Sequence, residues 1–315
     1  MRIVVLTGGI GGARFLLGVR AYARETGADV TAVVNVGDDL LLHGLKVCPD
    51  LDSVLYTLGG GADPERGWGR VGETWTVKTE LAAYGAEPSW FGLGDKDLAT
   101  HLVRTSMVNA GYPLSQVTEA LATRWQPGVR LLPATDERLE THAVISDEQG
   151  RRAVHFQEWW VRYRAEVPTE QFVFVGAEAA TPAPGVVEAI AAADVVLIAP
   201  SNPVVSVAPV LAVPGLRDAV VGGPAPVIGV SPIIGGAPVR GMADRCLAVL
   251  GVECSAAGVG ALYGSRSGGG LLDGWLVAPE DEDAVVPGVT VRAAPLRMTD
   301  EAATAAMVRA AMELM

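Results

Sequence analysis

Continuous apolar runs alternate with amphipathic segments from the start of the chain. The first run, "RIVVL" (residues 2–6), is rich in β-branched residues and predicts a strand buried on both faces. In the next segment Phe15, Leu16, Val19 and Tyr22 recur at roughly helical spacing, and "DVTAVVNV" (29–36) is a second buried strand. A strand, a helix and a strand within about 35 residues predict a right-handed parallel crossover.

The same alternation returns in the second half of the chain. Apolar runs at 172–176, 194–203 and 225–236 predict further parallel strands, and a helix is expected near 185–192. The segments 242–251 and 300–314 also predict helices. We therefore expect an α/β fold of the Rossmann-like, doubly wound kind, with a mainly parallel sheet.

The middle of the chain has a less regular pattern. A helix is expected at 49–58, where Asp50 or Asp52 can cap its start, and helical segments are expected at 74–84 and 97–111. Residues 137–164 predict a β-hairpin followed by an aromatic-rich segment. We interpret residues 1–315 as a single α/β domain in which approximately 70–170 form a smaller inserted α/β lobe.

Composition and charge narrow the class of protein. The net charge of −12 argues against nucleic acid or an anionic membrane as the main partner. Neither the short apolar start nor any later run has the length and composition of a signal peptide or a membrane span. The three cysteines form no CxxC motif, which favours a reducing cytoplasm and disfavours a zinc cage. We expect a soluble, cytoplasmic protein.

Three loops of small residues each follow a predicted parallel strand. Ligands of open α/β sheets bind beyond the carboxyl ends of the strands, so these loops should share one rim of the fold. The alternative for any single loop is a tight turn between a strand and a helix. The residues that we expect to bind a ligand in these loops are Gly8, Gly9, Gly11, Gly12, Ser201, Asn202, Ser231 and Gly235.

The first of these loops, "TGGIGGAR" (7–14), matches neither common phosphate-binding motif. It lacks the Gly-Lys pair of a P-loop, and Arg14 stands where the third glycine of GxGxxG belongs. A glycine-rich turn at a helix N-terminus still offers free N–H groups and a positive dipole end to an anion. Arg14 either adds a guanidinium to such a site or pairs on the surface.

Acidic residues follow the second strand. Asn35, Asp38 and Asp39 come directly after it, and Asp50 and Asp52 follow about a dozen residues later. One or two carboxylates, together with substrate phosphates, are the usual ligands of Mg²⁺. An isolated aspartate is more often a turn or a helix cap, but a cluster beside a phosphate-binding loop favours a metal site.

Two further segments carry candidate side chains. In "GLGDKDLATH" (92–101), Lys96 is placed to neutralise a phosphate or substrate charge, whereas His101 is equally typical of a structural hydrogen bond. In "HFQEWWVRYR" (155–164), one tryptophan is expected in the core, and the other aromatic side chains suit a stacking wall or an oligomer contact. The residues alone thus predict a protein that binds a nucleotide-like phosphorylated ligand with Mg²⁺.

Several long motifs in order make a family resemblance specific. They nearly span the chain and read "TGGIGGARFLLG", "VVNVGDD", "CPDLDSVLYTLGGG", "RGWG", "LGDKDLATHL", "HFQEWWV", "PSNPVVS", "SPIIGG" and "RGMAD". The chain resembles the phospholactate transferases that build the deazaflavin coenzyme factor 420, and within them the actinobacterial branch. At Gly92 it departs from the archaeal pattern, which has a basic residue there.

The resemblance implies a reaction and roles for the candidate residues. A guanylylated donor would carry enolpyruvate or lactate on its terminal phosphate. The ribityl hydroxyl of the deazaflavin Fo would attack that phosphorus and release GMP. Asp50 and Asp52 would hold Mg²⁺ or the ribityl hydroxyls, with Asp52 favoured for contact with Fo, and Lys96 would balance developing charge. The residues implied to bind the donor include Arg14, Asn35 and Asp39 besides the three loops.

The resemblance also implies a place for Fo and an oligomeric state. The inserted lobe would contribute to the acceptor site, where Trp159 and Trp160 are candidates for the deazaflavin wall. A homodimer is expected only from the resemblance.

Two other functions remain open from the sequence. A related group of nucleotide-sugar-binding metabolic regulators shares the first loop and the "PSN" region but is non-catalytic, whereas "CPDLDSVLYTLGGG" and "HFQEWWVRYR" favour the transferase. A nicotinamide-dependent dehydrogenase is disfavoured by the missing third glycine and by the lack of a clear His/Arg pair for hydride transfer.

Overall fold

The computed structural model describes all residues, 1–315, and contains fourteen strands and eleven α-helices. The strands are β1 (Arg2–Thr7), β2 (Asp29–Val34), β3 (Leu40–Leu42), β4 (Leu45–Val47), β5 (Arg130–Pro133), β6 (Glu140–Asp147), β7 (Gly150–His155), β8 (Thr169–Val175), β9 (Val195–Ile198), β10 (Val227–Val230), β11 (Ile233–Ile234), β12 (Ala237–Pro238), β13 (Gly274–Val277) and β14 (Thr290–Ala293). The helices are α1 (Gly9–Thr26), α2 (Pro49–Leu58), α3 (Thr76–Ala83), α4 (Asp95–Asn109), α5 (Leu114–Trp125), α6 (Val186–Ala191), α7 (Ala208–Ala212), α8 (Leu216–Gly222), α9 (Ala243–Val249), α10 (Ala256–Tyr263) and α11 (Glu301–Met312).

The main sheet has seven strands in the order β14-β13-β10-β9-β1-β2-β5, and every neighbouring pair is parallel. From β1 the chain first builds outward through β2 to β5, and then returns to β9 on the other side of β1. This reversal is the topological switch point of the doubly wound α/β fold. The predicted fold class is confirmed.

The central strand explains why the first apolar run is continuous. β1 pairs with β2 from Arg2↔Asp29 to Thr7↔Val34 and with β9 from Ile3↔Val195 to Leu6↔Ile198. Helices cover both faces of such a sheet, so its side chains are buried on both sides. Helix α1 packs against α2 and α11, and only Gly8 separates it from β1, so the helix begins at the carboxyl end of that strand.

The region predicted as one inserted lobe is divided by a strand of the main sheet. Helices α2 to α5 lie between β2 and β5, and β5 pairs with β2 in the main sheet. After β5 the chain forms a separate antiparallel sheet in the order β7-β6-β8. Whether 70–170 behaves as a separate unit stays a prediction.

One predicted strand of the main sheet belongs to the antiparallel sheet instead. The run at 172–176 was expected to be a parallel strand of the core, but it belongs to β8, which is antiparallel to β6. An apolar run alone does not distinguish a strand of the main sheet from one that is covered on a single face. Phe172 packs edge-on against Trp159, with ring centroids 5.2 Å apart, and this contact covers the inner face of β8.

No single helix is long and apolar enough to cross a membrane. A bent pair, Pro203–Ala212 and Leu216–Gly222, has the length and composition of a span, but its apolar side chains lie in the hydrophobic core.

Candidate active site

A cleft of about 790 Å³ opens at the carboxyl ends of the central strands. Its floor is the switch point between β1 and β9, where the chain after β1 (Gly8–Gly11) faces the chain after β9 (Pro200–Asn202). Ser231 after β10 also lines the cleft, so the three small-residue loops share one rim, as predicted. The opposite wall comes from α2, the 62–72 loop and the segment after β7.

The glycines of the first loop are required by close packing as well as by the cleft. A Cβ on Gly8 would lie 2.6 Å from Asp50 Oδ2 and 2.9 Å from the Cβ of Asn35, and Gly9 has a φ of +66°. A Cβ on Gly12 would lie 2.1 Å from Thr7 Oγ1, so this position packs against the strand instead of lining the cleft. The N-cap residue of α1 has no side chain and its first turn has no acidic residue, so its positive end faces the cleft, where the Asp50 carboxylate of α2 lies beside the backbone N–H of Gly9.

The second and third loops hold their shape through their own side chains. Ser201 Oγ donates to the carbonyl of Gly8 at 2.7 Å and fastens the second loop to the first. Asn202 Oδ1 accepts from the backbone N–H of Val204 at 2.9 Å, and Ser231 Oγ donates to the carbonyl of Ile233 at 2.8 Å. Gly235, by contrast, is exposed outside the cleft, where its N–H donates to Asp281.

Two buried carboxylates share one amide at the cleft. The side-chain carbonyl of Asn35 accepts a hydrogen bond from the backbone N–H of Gly37. The NH₂ group of Asn35 therefore points toward Asp50 Oδ2 (2.9 Å) and Asp38 Oδ1 (3.3 Å). Gln157 Nε2 donates to the second oxygen of Asp38 at 3.0 Å. Both aspartates line the cleft and are almost fully buried.

Neither of these carboxylates has a cationic side chain within 4.0 Å. Burial raises the pKa of Asp50 to about 6, and burial together with Asp50 raises the pKa of Asp38. Hard oxygen ligands without a countercharge are the donor set that suits a divalent cation. Asp38 and Asp50, referred to below as the carboxylate pair, can therefore hold one.

Asp52 and Asp39 are near the carboxylate pair in sequence but are neutralised elsewhere. Asp52 lies on the far side of α2, where both of its oxygens accept hydrogen bonds from Arg104. Asp39 forms an ion pair with Lys46 at 2.9 Å. Neither lines the cleft. The expectation that Asp50 or Asp52 caps α2 is wrong: Cys48 is the N-cap residue, and Pro49 begins the helix because it needs no hydrogen-bond acceptor for its nitrogen.

Aromatic side chains form one wall of the cleft. Trp160 and Phe156 line it with ring centroids 5.7 Å apart, and Trp68 and Phe91 line it from the 62–72 loop and the segment before α4. Trp159 is instead fully buried in the core, where its indole N–H donates to Thr169. One tryptophan of the pair therefore faces the cleft and the other serves the core.

Lys96 and His101 do not reach the cleft. Lys96 is exposed, and its Nζ donates to the carbonyl of Val71 at 3.0 Å, so it tethers the loop that carries Trp68. His101 is buried between Asp97 (3.3 Å) and Asp52 (3.7 Å), so it has the structural hydrogen-bonding surroundings that the sequence left open as one of its two interpretations. Arg14 does line the cleft.

Several cleft residues were not selected from the sequence, although they belong to motifs quoted above. Gln157 and Phe156 are part of "HFQEWWV", Trp68 is part of "RGWG", and Arg240 is part of "RGMAD". Asp38 was only one of several acidic candidates. Their position in these motifs was the available signal, but motif membership does not tell which side chains point into a cleft.

Comparison with known proteins gives consistent matches over the whole chain. A family model described as 2-phospho-L-lactate transferase CofD matches residues 3–312. Proteins named phosphoenolpyruvate transferase from Mycolicibacterium smegmatis and Nocardia farcinica are each 63% identical to this chain. The matches cover 100% and 99% of this chain, and 98% and 94% of the two relatives.

A solved structure supports the fold. A Bacillus halodurans protein, described as a member of the UPF0052 family, matches with a TM-score of 0.59 over 93% of this chain and 92% of its own. The identity is 18%, so this likeness concerns the fold alone.

Proposed function

Because this chain belongs to the 2-phospho-L-lactate transferase CofD family, we propose that it transfers a phosphoenolpyruvyl group from a guanosine-diphosphate-type donor to the deazaflavin Fo. The relatives named phosphoenolpyruvate transferase favour enolpyruvate over lactate as the acid of the donor. The ribityl hydroxyl of Fo attacks the terminal phosphorus of the donor and forms a new phosphorus–oxygen bond. The bond from that phosphorus to the bridging oxygen of the diphosphate breaks, GMP leaves with that oxygen, and the hydroxyl proton passes to solvent. The step belongs to the biosynthesis of the coenzyme factor 420.

The glycine loop is proposed to bind the diphosphate of the donor. The uncapped start of α1 offers backbone N–H groups and a positive dipole end at the switch point, where phosphorylated ligands bind in doubly wound folds. Ser201 holds that loop to the second loop through its bond to Gly8. This arrangement fixes the amide groups before the donor arrives, so less ordering is needed on binding.

The carboxylate pair is proposed to hold Mg²⁺. Asp38 and Asp50 fit the ion because they are buried oxygen ligands without a cationic partner, whereas Asp52 is already neutralised by Arg104. When bound, the ion would offset charge on the diphosphate, as metal ions do in phosphoryl transfer. Asn35 and Gln157 orient the two carboxylates through their amide hydrogens.

The aromatic wall is proposed to bind the flat ring of Fo. Trp160, Phe156, Trp68 and Phe91 lie across the cleft from the glycine loop, so a ring stacked there would extend its ribityl chain toward the carboxylate pair. Transfer of this kind depends mainly on in-line positioning and charge neutralisation. The cleft provides a polar side for the donor and an apolar side for the acceptor.

One observation carries the proposal: the uncapped glycine loop and an unneutralised carboxylate pair occupy the same rim, opposite an aromatic wall. A fold of this kind hosts many functions, and the side chains of this cleft therefore carry the assignment.

The test is a reconstituted reaction. Purified protein, Mg²⁺, Fo and guanylylated enolpyruvate donor should yield GMP and a phosphorylated deazaflavin by mass spectrometry. The lactyl donor is the second arm of the experiment. If neither donor gives a product while the protein is folded, the transferase assignment is wrong. Binding of a nucleotide sugar without any turnover would instead favour the non-catalytic regulator.

A further inference from the structure

Two arginines line the cleft without a partner of opposite charge. Arg14 extends from the second turn of α1, and Arg240 extends from the loop after β12. Neither guanidinium has a carboxylate within 4.0 Å or a hydrogen bond to any protein group, whereas most of the other arginines have one. Such a pair leaves two positive charges facing one cleft in a chain whose net charge is −12.

The two guanidinium groups are close enough to affect one another. Burial lowers the pKa of Arg14, and the positive charge of Arg240 lowers it further. Arginine stays protonated in proteins, so the repulsion is not relieved by loss of a proton. An anion placed between them would relieve it.

A glycine in the opposite wall leaves room for Arg240. Its guanidinium occupies the space that a Cβ on Gly67 would take, and the φ of +76° at Gly67 also favours glycine there. Gly67 precedes Trp68 of the aromatic wall. The guanidinium of Arg240 thus lies where the loop after β12 meets the aromatic wall, and Arg14 lies beside the glycine loop.

We propose that Arg14 and Arg240 form a clamp for the carboxylate of the phospho-acid group that is transferred, an inference that rests on the proposed function. The transferred group must lie between the donor and acceptor sites, and the two arginines line the same cleft, Arg14 on the side of the glycine loop and Arg240 on the side of the aromatic wall. On the proposed function, the diphosphate would already be bound by the backbone amides of the glycine loop and by a cation held by the carboxylate pair. The carboxylate is the one remaining anion of the donor.

The chemistry of a guanidinium suits this role. Its planar fork binds a carboxylate through paired hydrogen bonds, and charge assistance strengthens each of them. Enolpyruvate and lactate both carry a carboxylate, so the clamp recognises the class of donor without distinguishing these two acids. A donor that lacks the carboxylate should bind without benefit from either arginine.

The test compares two esters of guanosine diphosphate, made with lactate or with ethanol on the terminal phosphate. The second ester differs from the first only in having a hydrogen atom in place of the carboxylate. Dissociation constants of both esters and of GDP are measured by calorimetry for the wild type, Arg14→Gln, Arg240→Gln and Arg240→Lys. Arg151→Gln is the matched control, because Arg151 is an exposed arginine in a surface ion pair with Glu170.

In the wild type, the lactyl ester should bind about tenfold tighter than the ethyl ester. Either Gln variant should reduce this preference to less than about threefold, leave the affinity for GDP within about threefold, and so show that it is folded. Arg240→Lys should keep part of the preference, and Arg151→Gln should keep all of it.

Three results would overturn the clamp: no preference in the wild type, a preference that survives both Gln variants, or a loss of GDP affinity as large as that of the lactyl ester. The last result would assign the arginines to the diphosphate. These binding data are independent of turnover. If the arginines confer the preference for the lactyl ester but the reconstituted reaction gives no product, the result would contradict the proposed transferase activity and leave the clamp standing.

Discussion

At the scale of single residues, the carboxylate of Asp50 lies in the cleft in surroundings that are unfavourable for a charge. It is buried, lies within hydrogen-bond distance of Asn35, and has no cation within 4.0 Å. A side chain in these surroundings contributes little to stability when ionised, because burial penalises its charge more than its hydrogen bonds favour it and no cationic side chain is close. Its presence at the cleft is best explained by a charge that arrives with the ligands.

Asp50→Asn tests this role directly. The amide has nearly the same shape but cannot offset the charge of a metal ion, so turnover should fall at least about 100-fold. The midpoint of thermal unfolding should stay the same or rise. A variant with wild-type turnover would remove Asp50 from the site, and a variant that fails to fold would contradict the stability argument.

The pH dependence follows from the raised pKa of Asp50. The folded state binds the Asp50 proton more tightly than the unfolded chain does, so protonation of Asp50 stabilises the fold. This stabilisation is complete below about pH 4 and is lost as the pH rises through about 6. Without divalent cations, the unfolding free energy of the wild type should therefore fall relative to Asp50→Asn between pH 5 and 7.5.

Activity should have the opposite trend, because only the ionised carboxylate holds a cation. Turnover should rise through about pH 6. Chemical denaturation across this pH range and a pH–rate profile measure the two quantities. Parallel curves for the wild type and Asp50→Asn would contradict the assignment of the pKa to this residue.

The adjacent tryptophans allow a matched comparison. Trp159→Ala removes a fully buried side chain and should cost about 3–5 kcal/mol of stability. Trp160→Ala should cost much less but weaken the binding of Fo, since Trp160 lines the cleft. Denaturant unfolding and quenching of deazaflavin fluorescence separate the two effects, and an exchange of these phenotypes would refute the placement of the aromatic wall.

The choice between Asp50 and Asp52 could not be made from the sequence. Both lie in the first turn of α2, and the sequence gives their angular separation but not which side of the helix meets the cleft. That orientation depends on how α2 packs against α1 and α5, which are contacts between distant segments. The acidic cluster itself was predictable, because it follows a buried strand.

At the scale of elements, helix α4 has an unusual buried face. Its fully buried side chains are Thr100, His101 and Arg104, whereas the apolar Leu102 and Val103 are about half exposed. The sequence pattern predicted the helix correctly but not its orientation. The buried ion pair between Arg104 and Asp52 determines it, and such pairs give no periodic signal.

This ion pair connects α4 to α2 and should be structural. Asp52→Asn leaves Arg104 buried without a countercharge and should cost about 3–5 kcal/mol of unfolding free energy in a denaturant titration. Arg151→Met breaks an exposed pair and serves as the control, with an expected cost below about 1 kcal/mol. Loss of turnover at full stability would restore the prediction that Asp52 contacts Fo.

At the scale of the whole molecule, the strand order of the doubly wound sheet explains which of its strands are predictable from the sequence and which are not. Local runs with β-branched residues identified β1, β2, β9 and β10, and the parallel crossovers then limited the topology. Strand β5 gives no such signal, because its four residues, "RLLP", include no β-branched side chain and end in a proline. It pairs with β2, about a hundred residues earlier in the chain, and local patterns do not report such pairing.

The site draws on both halves of the sheet, so ligands should stabilise the entire fold. GDP with Mg²⁺ at about 100 times the dissociation constant should add about 2.7 kcal/mol to the unfolding free energy. Thermal melts should show a smaller gain for Asp50→Asn when Mg²⁺ is added, with GDP alone acting equally on both proteins. An equal response to Mg²⁺ would place the ion elsewhere.

The opposite directions of Asp50 and Asp52 have a consequence for how this protein can change in evolution. The two side chains are about 200° apart around α2, one toward the ligands and one toward Arg104. A single insertion or deletion between them would rotate one by about 100° and lose either the catalytic cleft or the buried pair. The segment "PDLD" should thus accept no change of length, and Leu51, which is buried in the core, should tolerate only apolar residues of similar size. In alignments of relatives, gaps should fall in the loop between α2 and α3 instead.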